Sequence, residues 1–335
     1  MPFSAQTSPA YSPSHFQYSR ACSHRLSRRT LLKGVGGLAA ASVIGGGAVV
    51  AGSAPAQAAL TVAEHEDHGR MQYYKLATSS VGLLPRVNVL LPDGYDISRR
   101  YPVLFLLHGG GENYSTFDTK YDIRNHTAGR DLIVVMPDGG KAGWYCDHES
   151  SNVGPRNWET FHVDELIPWV DATFSTIAQP AGRAVSGFSM GGFGALKYAA
   201  KHPELFGSVS SHSGPADLRI QDGAVVHWAN FTAGATDLKG GTIYGIPWDQ
   251  TRVSADNPME KIERYRGKRI FLVSGTSFID SNEKRVLPTQ RNFGRALEAA
   301  GIPHERYEEA GGHFVRRERL QQDIDGVIAH LTKAG

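Results

Sequence analysis

The chain has 335 residues, 41% of them hydrophobic and 20% charged, and its 35 basic and 33 acidic side chains give a net charge of +2. This length suffices for a large domain with a well-buried core. Residues 1–58 contain five of the basic residues and no acidic one, so residues 59–335 carry 30 basic and 33 acidic side chains and a net charge of −3. The balance gives no electrostatic argument for nucleic acid as a partner.

The N-terminal segment has the pattern of an export signal. Two arginines lie in the run SRRTLLK at Ser27–Lys33, an uncharged stretch interrupted by glycine follows at Gly34–Gly52, and Ala56–Ala58 offers small residues to a signal peptidase. Residues 1–58 resemble a twin-arginine export signal. We expect this signal to be removed, so that residues 59–335 are secreted or associated with the cell wall without a stable membrane anchor. A retained anchor is the less favoured alternative, because the apolar stretch is only marginally long enough to span a bilayer.

The two cysteines predict no intrachain disulfide. Cys22 leaves with the signal, and Cys146 then remains alone. Cys146 has no base assigned beside it, so a small buried packing residue is a better interpretation than a reactive thiol.

The first segment of the mature chain is polar. Ala59–Arg70 contains HEDH at His65–His68, but two histidines without a third ligand favour a solvated tail over a metal site. Two strand-like runs follow, at Gln72–Ala77 and Arg86–Leu91, and their spacing predicts an antiparallel hairpin.

From Tyr101 onward, short apolar runs alternate with amphipathic stretches. The runs are Pro102–His108, Leu132–Pro137, Arg183–Phe188, Gly207–His212 and Arg269–Gly275. The helical stretches are Trp158–Phe174, Met190–His202 and Thr289–Ala300. This order predicts an α/β fold with a mostly parallel central sheet and helices on both faces, and functional groups at the carboxyl ends of the strands.

One long segment does not fit the alternation. Gly214–Gly267 is rich in glycine, aspartate and tryptophan. Long insertions of this kind are commonly functional, so we expect a cap-like excursion over the sheet that shapes a substrate entrance.

The sequence GFSMGG at Gly187–Gly192 contains the pattern G-x-S-x-G between a predicted strand and a predicted helix. A tight strand-to-helix turn of this kind exposes the serine hydroxyl, while Gly187 and Gly191 leave room for neighbouring backbone. Ser189 is therefore the candidate nucleophile. The alternative is a serine that merely caps a glycine-rich helix.

A serine nucleophile needs a base and donors for the developing oxyanion. His313 follows the last predicted strand and precedes a C-terminal helix, which favours it as the base. HGGG at His108–Gly111 follows another strand, and its glycines allow backbone N–H groups to point into the site. The amides of Gly110 and Met190 are the proposed oxyanion donors, Met190 lying at the positive end of its helix.

Two carboxylates compete for the role of the triad acid. Asp280 and Glu283 are three positions apart after a predicted strand, a spacing that also occurs when an aspartate caps a helix start. The residues alone leave both alternatives open.

The motifs YPVLFLLHGGG, GWYCD, NWETF, SGFSMGG and GGHF together resemble the secreted esterase family. This group includes feruloyl and acetylxylan esterases, formylglutathione hydrolases and mycolyltransferases. The resemblance implies an α/β-hydrolase fold and a Ser–acid–His triad of Ser189, Glu283 and His313, with Asp280 as the alternative acid. Glu283 is favoured because its place before the helix that closes at Gly301 is similar to that of the acid in the mycolyltransferase-like members.

The resemblance also bears on substrates. Trp144, Tyr145 and Trp158 match residues near the family's site, as candidates for substrate contact or, more strongly favoured, for packing support. The mycolyltransferases have a Trp and an Arg that engage trehalose where this chain has Val315 and Gly111, so trehalose transfer is not expected.

We therefore expect a secreted serine ester hydrolase that needs no metal or organic cofactor. Its substrate would be a small-molecule, lipid or polysaccharide ester. An acyltransferase that passes the acyl group to a sugar or glycerol is one alternative, and a noncatalytic protein that binds cell-wall or host components is another.

Overall fold

The computed structural model describes residues 60–335, so the predicted export signal lies outside the described residues. Within this part, nine strands form one sheet in the order β1-β2-β3-β5-β4-β6-β7-β8-β9. The strands are β1 Thr61–His68, β2 Met71–Ala77, β3 Arg86–Leu90, β4 Val103–Leu107, β5 Ile133–Pro137, β6 Arg183–Phe188, β7 Ser208–His212, β8 Arg269–Gly275 and β9 Glu305–Glu309.

The sheet is mostly parallel, as the sequence predicts. The strands from β5 to β9 pair in parallel, while β1, β2 and β3 add an antiparallel edge. Every residue of β4, β5, β6 and β7 is buried. Continuous burial of this kind is typical of strands covered on both faces.

Helices complete the two outer layers. They are α1 Thr116–Thr119, α2 Ile123–His126, α3 Trp158–Thr160, α4 Ile167–Thr173, α5 Met190–Lys201, α6 Ile220–Thr236, α7 Gln250–Asp256, α8 Ser281–Ala299 and α9 Arg317–His330. A π-helical turn at Phe161–Leu166 joins α3 to α4, and 3₁₀ turns occupy Pro180–Gly182 and Pro258–Tyr265. No helix within residues 60–335 combines the length and apolarity needed to cross a bilayer.

Strand alternation divides the core between the two faces. Phe105 packs in one apolar cluster with α5, and its neighbours Leu104 and Leu106 pack in the other with α9. Successive side chains of a strand point to opposite faces, so one strand contributes to both clusters.

The predicted solvated tail is wrong. Residues Thr61–His68 form an edge strand that pairs antiparallel with Met71–Ala77 through a turn at Gly69. All eight side chains are exposed, as a polar sequence requires, but the backbone groups bond to the sheet edge. His65 stacks on Tyr74 at 4.4 Å between ring centroids, so it has a structural partner.

The segment 214–267 is more helical than its composition indicates. It contains α6, α7 and the 3₁₀ turn, and Val225, Val226 and Ala229 are fully or almost fully buried in the main core. These helices form a packed layer rather than an open loop, and a role at the substrate entrance stays a prediction.

The helix predicted to start at Thr289 begins eight residues earlier, at Ser281. Helix α8 runs through Pro288 without ending there. Val286, Thr289 and Gln290 are fully buried on the inner face, and their packing holds the helix across the proline. Glu283 therefore lies in the first turn of α8 itself.

Candidate active site

Ser189 occupies a strained turn between β6 and α5. Its φ of 54° and ψ of −116° are unfavourable for a residue with a side chain, and its N–H donates to the His212 carbonyl at 2.8 Å. A Cβ at Gly187 would lie 2.3 Å from the Gly191 carbonyl oxygen, and one at Gly191 would lie 2.1 Å from that of Leu107. The predicted need for glycine at both positions is confirmed.

The structure brings Ser189 and His313 into hydrogen-bond contact. The distance from Ser189 Oγ to His313 Nε2 is 2.6 Å. The imidazole packs against Phe188, with ring centroids 4.9 Å apart. The serine hydroxyl can donate to Nε2 when the imidazole proton is on Nδ1, which is the arrangement a general base requires.

Glu283 is the carboxylate that contacts the imidazole. Its Oε1 lies 3.2 Å from His313 Nδ1 and accepts a second hydrogen bond from Ser213 Oγ at 2.5 Å. Glu283 is fully buried, so solvent screens the interaction of its carboxylate with the imidazole only weakly. The contact favours the tautomer with the proton on Nδ1.

Asp280 lies beside this pair in a different role. Its Oδ1 accepts from the N–H groups of Asn282 and Glu283 as the cap of α8, and its Oδ2 accepts from the His313 N–H at 2.9 Å. Partial burial acts to raise the pKa of Asp280, but these backbone donors outweigh it and hold the pKa below its usual value. The carboxylate anchors the backbone of the His313 loop and does not hydrogen-bond to the imidazole.

The predicted oxyanion donors lie on fixed backbone. Met190 is the first residue of α5, and no hydrogen bond within residues 60–335 occupies the Gly110 N–H. Glu112 accepts from the Gly109 N–H at 2.9 Å, and His108 Nε2 accepts from the Gly139 N–H at 2.9 Å. These contacts hold the glycine loop so that the Gly110 amide stays available.

Sequence reasoning missed three supporting side chains, Ser213, Glu112 and Arg316. Arg316 donates to the carbonyls of Phe314 and Gly312 at 3.2 Å and so clamps the loop that carries His313. Burial lowers the pKa of Arg316, and the Glu283 and Glu309 carboxylates counteract that effect. Proximity to HGGG and GGHF was the only available signal for Glu112 and Arg316, and Ser213 had none.

The three aromatic candidates for substrate contact are almost completely buried. Trp144 donates from Nε1 to Thr232 Oγ1 at 3.0 Å, and Tyr145 donates from its hydroxyl to the His108 carbonyl at 3.0 Å. Trp158 stacks on His162 at 5.9 Å between centroids. These contacts agree with the packing role that the sequence favoured.

A cleft of about 540 Å³ opens next to the glycine loop. Its lining includes Gly111, Lys141 and the edge of Trp158, whereas Ser189 and His313 do not contribute to it. Gly111 donates to the Lys141 carbonyl at 2.7 Å, so the cleft begins one residue from the proposed Gly110 donor. Trp158 thus contributes to the lining of this cleft.

Cys146 is buried and unpaired, and burial raises the pKa of its thiol to about 12. The predicted burial of Cys146 is confirmed, and the raised pKa favours a packing role over a reactive thiol. Within residues 60–335, no group of three or more His, Cys, Asp or Glu side chains is arranged to hold a metal ion.

Residues 78–324 match the family model described as "Putative esterase", and the chain belongs to this family. Esterase Rv1288 of Mycobacterium tuberculosis is 56% identical over 283 residues, which are 82% of this chain and 62% of that protein. The chain therefore spans about 62% of the length of the curated esterase it matches.

Solved structures establish the α/β-hydrolase fold that the sequence predicts. An S-formylglutathione hydrolase from Agrobacterium tumefaciens superposes with a TM-score of 0.66 at 18% identity, covering 81% of this chain and all of that one. MPT51 (FbpC1) of Mycobacterium tuberculosis gives a TM-score of 0.65 at 20% identity with the same coverage. At these identities the likeness concerns the fold alone.

Proposed function

We propose that the protein is a serine ester hydrolase that works through an acyl-enzyme. The observation that carries this proposal is the continuous contact from Ser189 Oγ to His313 Nε2 and from His313 Nδ1 to Glu283 Oε1, at 2.6 and 3.2 Å. This is the order of nucleophile, base and acid that acyl transfer requires.

In the first half-reaction, Ser189 Oγ attacks the ester carbonyl carbon while its proton passes to His313 Nε2. Glu283 stabilises the resulting imidazolium and keeps the ring oriented. The tetrahedral intermediate then collapses, its bond to the alcohol oxygen breaks, and His313 returns the proton to the departing alcohol. The acyl group remains on Ser189.

In the second half-reaction, water takes the place of the alcohol. His313 Nε2 accepts a proton from the water as its oxygen attacks the acyl carbon, and returns the proton to Ser189 Oγ when the acid leaves. The Gly110 and Met190 amides would stabilise both oxyanions, the Met190 amide with help from the dipole of α5.

A fluorophosphonate probe tests the nucleophile. We expect it to label the full chain on Ser189, and we expect no labelling of Ser189→Ala. Thermal unfolding of both forms serves as the control for folding. Retained labelling in Ser189→Ala would overturn the assignment.

Acyl transfer to a sugar or glycerol is the closest rival, because it shares the whole first half-reaction. Product analysis with and without acceptor alcohols separates the two activities. We propose hydrolysis, since Val315 and Gly111 stand where the mycolyltransferases have their trehalose-engaging Trp and Arg. A noncatalytic binding role is disfavoured by the complete hydrogen-bonded set and would gain support only from absent turnover on a broad ester panel.

We further propose that residues 1–58 export the protein through the twin-arginine route. N-terminal sequencing of the protein recovered outside producing cells tests this, with a start at residue 59 expected. Replacement of Arg28 and Arg29 by lysine should retain the protein inside the cell, and unchanged export would contradict the proposal.

A further inference from the structure

Three large apolar side chains are exposed on the two loops that carry the histidine and the carboxylate. Phe278 is 85% exposed, Ile279 is 95% exposed and Phe314 is 48% exposed. Phe278 and Ile279 immediately precede Asp280, and Phe314 immediately follows His313. Single exposed apolar residues are ordinary, but three of them around one pair of loops require an explanation.

Hydrogen bonds hold these two loops side by side. Ser277 N–H donates to the Gly311 carbonyl at 3.0 Å, and His313 N–H donates to Asp280 Oδ2 at 2.9 Å. Phe278 and Ile279 lie between these two cross-connections. We define the apolar rim as Phe278, Ile279 and Phe314.

Acidic and basic side chains near the apolar rim differ in their surroundings. The carboxylates Asp280 and Glu283 are engaged by the His313 loop, Asp280 through its N–H and Glu283 through the imidazole. Lys284 and Arg317 are exposed next to the same loops, and within residues 60–335 neither forms an ion pair with a carboxylate. The exposed side chains at these loops are therefore mainly apolar and basic, apart from Glu318, which follows Arg317, and the half-buried Asp280.

We propose that the apolar rim docks the protein on a lipid–water interface with anionic headgroups, with Ser189 and His313 facing the lipid. Exposed apolar side chains flanked by basic ones are the combination that inserts into such an interface. A soluble protein bound at the same place would cover the loops beside His313, whereas a lipid surface supplies esters to them. The inference rests on the proposed ester hydrolase function for its substrate class, namely esters of long acyl chains held in an aggregate.

Vesicle binding tests the docking without relying on turnover. The full chain carrying Ser189→Ala is mixed with vesicles of equal parts phosphatidylglycerol and phosphatidylcholine, and the bound fraction is measured by flotation. Adding Phe278→Asp and Ile279→Asp should lower the partition coefficient by about tenfold or more, because two apolar side chains no longer enter the interface. Every variant keeps residues 1–59, so any binding by that segment is common to all.

The matched control is Ile97→Asp. Ile97 is 82% exposed but precedes β4, at the opposite end of that strand from His108 and the site. The Ile97→Asp variant should bind vesicles like the parent. Leucine instead of aspartate at positions 278 and 279 (Phe278→Leu with Ile279→Leu) should restore vesicle binding. Lys284→Gln with Arg317→Gln should reduce the preference for anionic over purely zwitterionic vesicles. Thermal unfolding verifies that each variant is folded.

Equal vesicle binding by the parent and the Phe278→Asp/Ile279→Asp variant would overturn the docking proposal. A second result would also overturn it: the parent forms a dimer in sedimentation, and the variant loses the dimer but keeps its vesicle binding. The apolar rim would then be covered by a second copy of the chain. In chains that retain Ser189, the ratio of turnover on micellar to monomeric esters should fall when the apolar rim is charged. Absence of all ester turnover together with rim-dependent vesicle binding would refute the proposed function and leave the docking intact.

Discussion

Two groups of serine, histidine and carboxylate side chains lie within 60–335, and they differ in which atoms the histidine contacts. In the group that we propose to be catalytic, named the catalytic chain and made up of Ser189, His313 and Glu283, the imidazole bridges the serine hydroxyl and the carboxylate. The serine has a positive φ at the carboxyl end of β6, in the turn that leads into α5. The order of contacts permits a proton to move from serine to histidine.

The second group is the buried carboxylate cluster, defined as Asp323, Ser186, Ser210, His212 and Arg269. Both serine hydroxyls donate directly to the Asp323 carboxylate, at 2.9 and 2.5 Å. The imidazole Nε2 and the Arg269 guanidinium meet the same carboxylate, at 3.1 and 2.8 Å. The same residue types as in the catalytic chain therefore surround the Asp323 carboxylate as donors, and neither serine donates to the histidine.

The contrast shows that residue composition does not define a catalytic site. In the buried carboxylate cluster both serine hydroxyls donate to Asp323, and both serines lie on regular strands, Ser186 on β6 and Ser210 on β7. Such a cluster satisfies a buried charge and ties α9 to the sheet. In the catalytic chain the strained turn leaves the serine hydroxyl with the histidine as its partner.

The largest expected difference is between two serines three residues apart. Ser189→Ala should lower kcat on an aryl ester by about 10⁶, because no nucleophile remains. Ser186→Ala removes a hydrogen bond to Asp323 and should cost about 1 to 3 kcal/mol of unfolding free energy with turnover nearly unchanged. Steady-state kinetics and urea unfolding measure both quantities. A large loss of turnover in folded Ser186→Ala would contradict the division into two clusters.

Replacing the acid of the catalytic chain should have the next largest effect. Glu283→Gln keeps the shape of the side chain but removes the charge that stabilises the imidazolium, and its amide can favour the wrong tautomer. Turnover should fall by about 10³ to 10⁴. Stopped-flow labelling by a fluorophosphonate measures the same step independently. Unchanged labelling in a folded variant would exclude Glu283 as the triad acid.

Replacing the acid of the buried carboxylate cluster should affect stability instead. Asp323→Asn leaves the largely buried Arg269 guanidinium without its carboxylate, and should lower the free energy of unfolding by about 3 to 5 kcal/mol. Asp325→Asn on the same helix is the matched control. Asp325 forms a half-exposed ion pair with Arg130 at 2.7 Å, so its loss should cost about 0 to 1 kcal/mol. Equal effects of the two substitutions would contradict this account.

The same carboxylate predicts an acid-sensitive range. Burial raises the pKa of Asp323, but hydrogen bonding and charge from His212, with Arg269 and Ser210, lower it to about 2. Because this value lies below the ordinary 3.8, the stabilisation is complete above pH 3.8 and is lost as the pH falls toward 2. About 2 kcal/mol should disappear across that range, as measured by urea unfolding. Asp323→Asn should lack this component of the pH dependence.

Much of the fold follows from local sequence signals. Apolar runs predict the buried strands, and the glycines around Ser189 predict the turn, because close backbone contacts exclude a Cβ. The β1 strand was missed because its exposed polar side chains give no periodic signal, while its stability comes from backbone pairing with β2. A helix start capped by Asp280 was one of the alternatives, but the continuity of α8 through Pro288 was not predicted, because packing across that proline is a tertiary effect.

In the candidate site, the residues that the proposed chemistry requires could be predicted from the sequence, whereas the residues that hold them in place could not. A serine nucleophile requires a histidine and an acid, so Ser189, His313 and Glu283 could be sought. Ser213 and Arg316 satisfy no general chemical requirement. They are recognised only when the chain brings β7, α8 and the loop before α9 together, where Ser213 contacts Glu283 and Arg316 clamps the His313 loop.

The smallest expected effect separates the two neighbouring carboxylates. Asp280 uses one oxygen for the α8 cap and the other for the His313 N–H, and an asparagine supplies only one acceptor. Asparagine still caps a helix well, so Asp280→Asn should cost about 1 kcal/mol through the lost loop contact and the lost charge at the helix N-terminus. Turnover should fall by less than about tenfold, because the imidazole keeps its contact with Glu283. If Asp280→Asn instead lost about 10³ to 10⁴ in turnover while Glu283→Gln stayed active, Asp280 would be the triad acid and the contact at Glu283 would be structural.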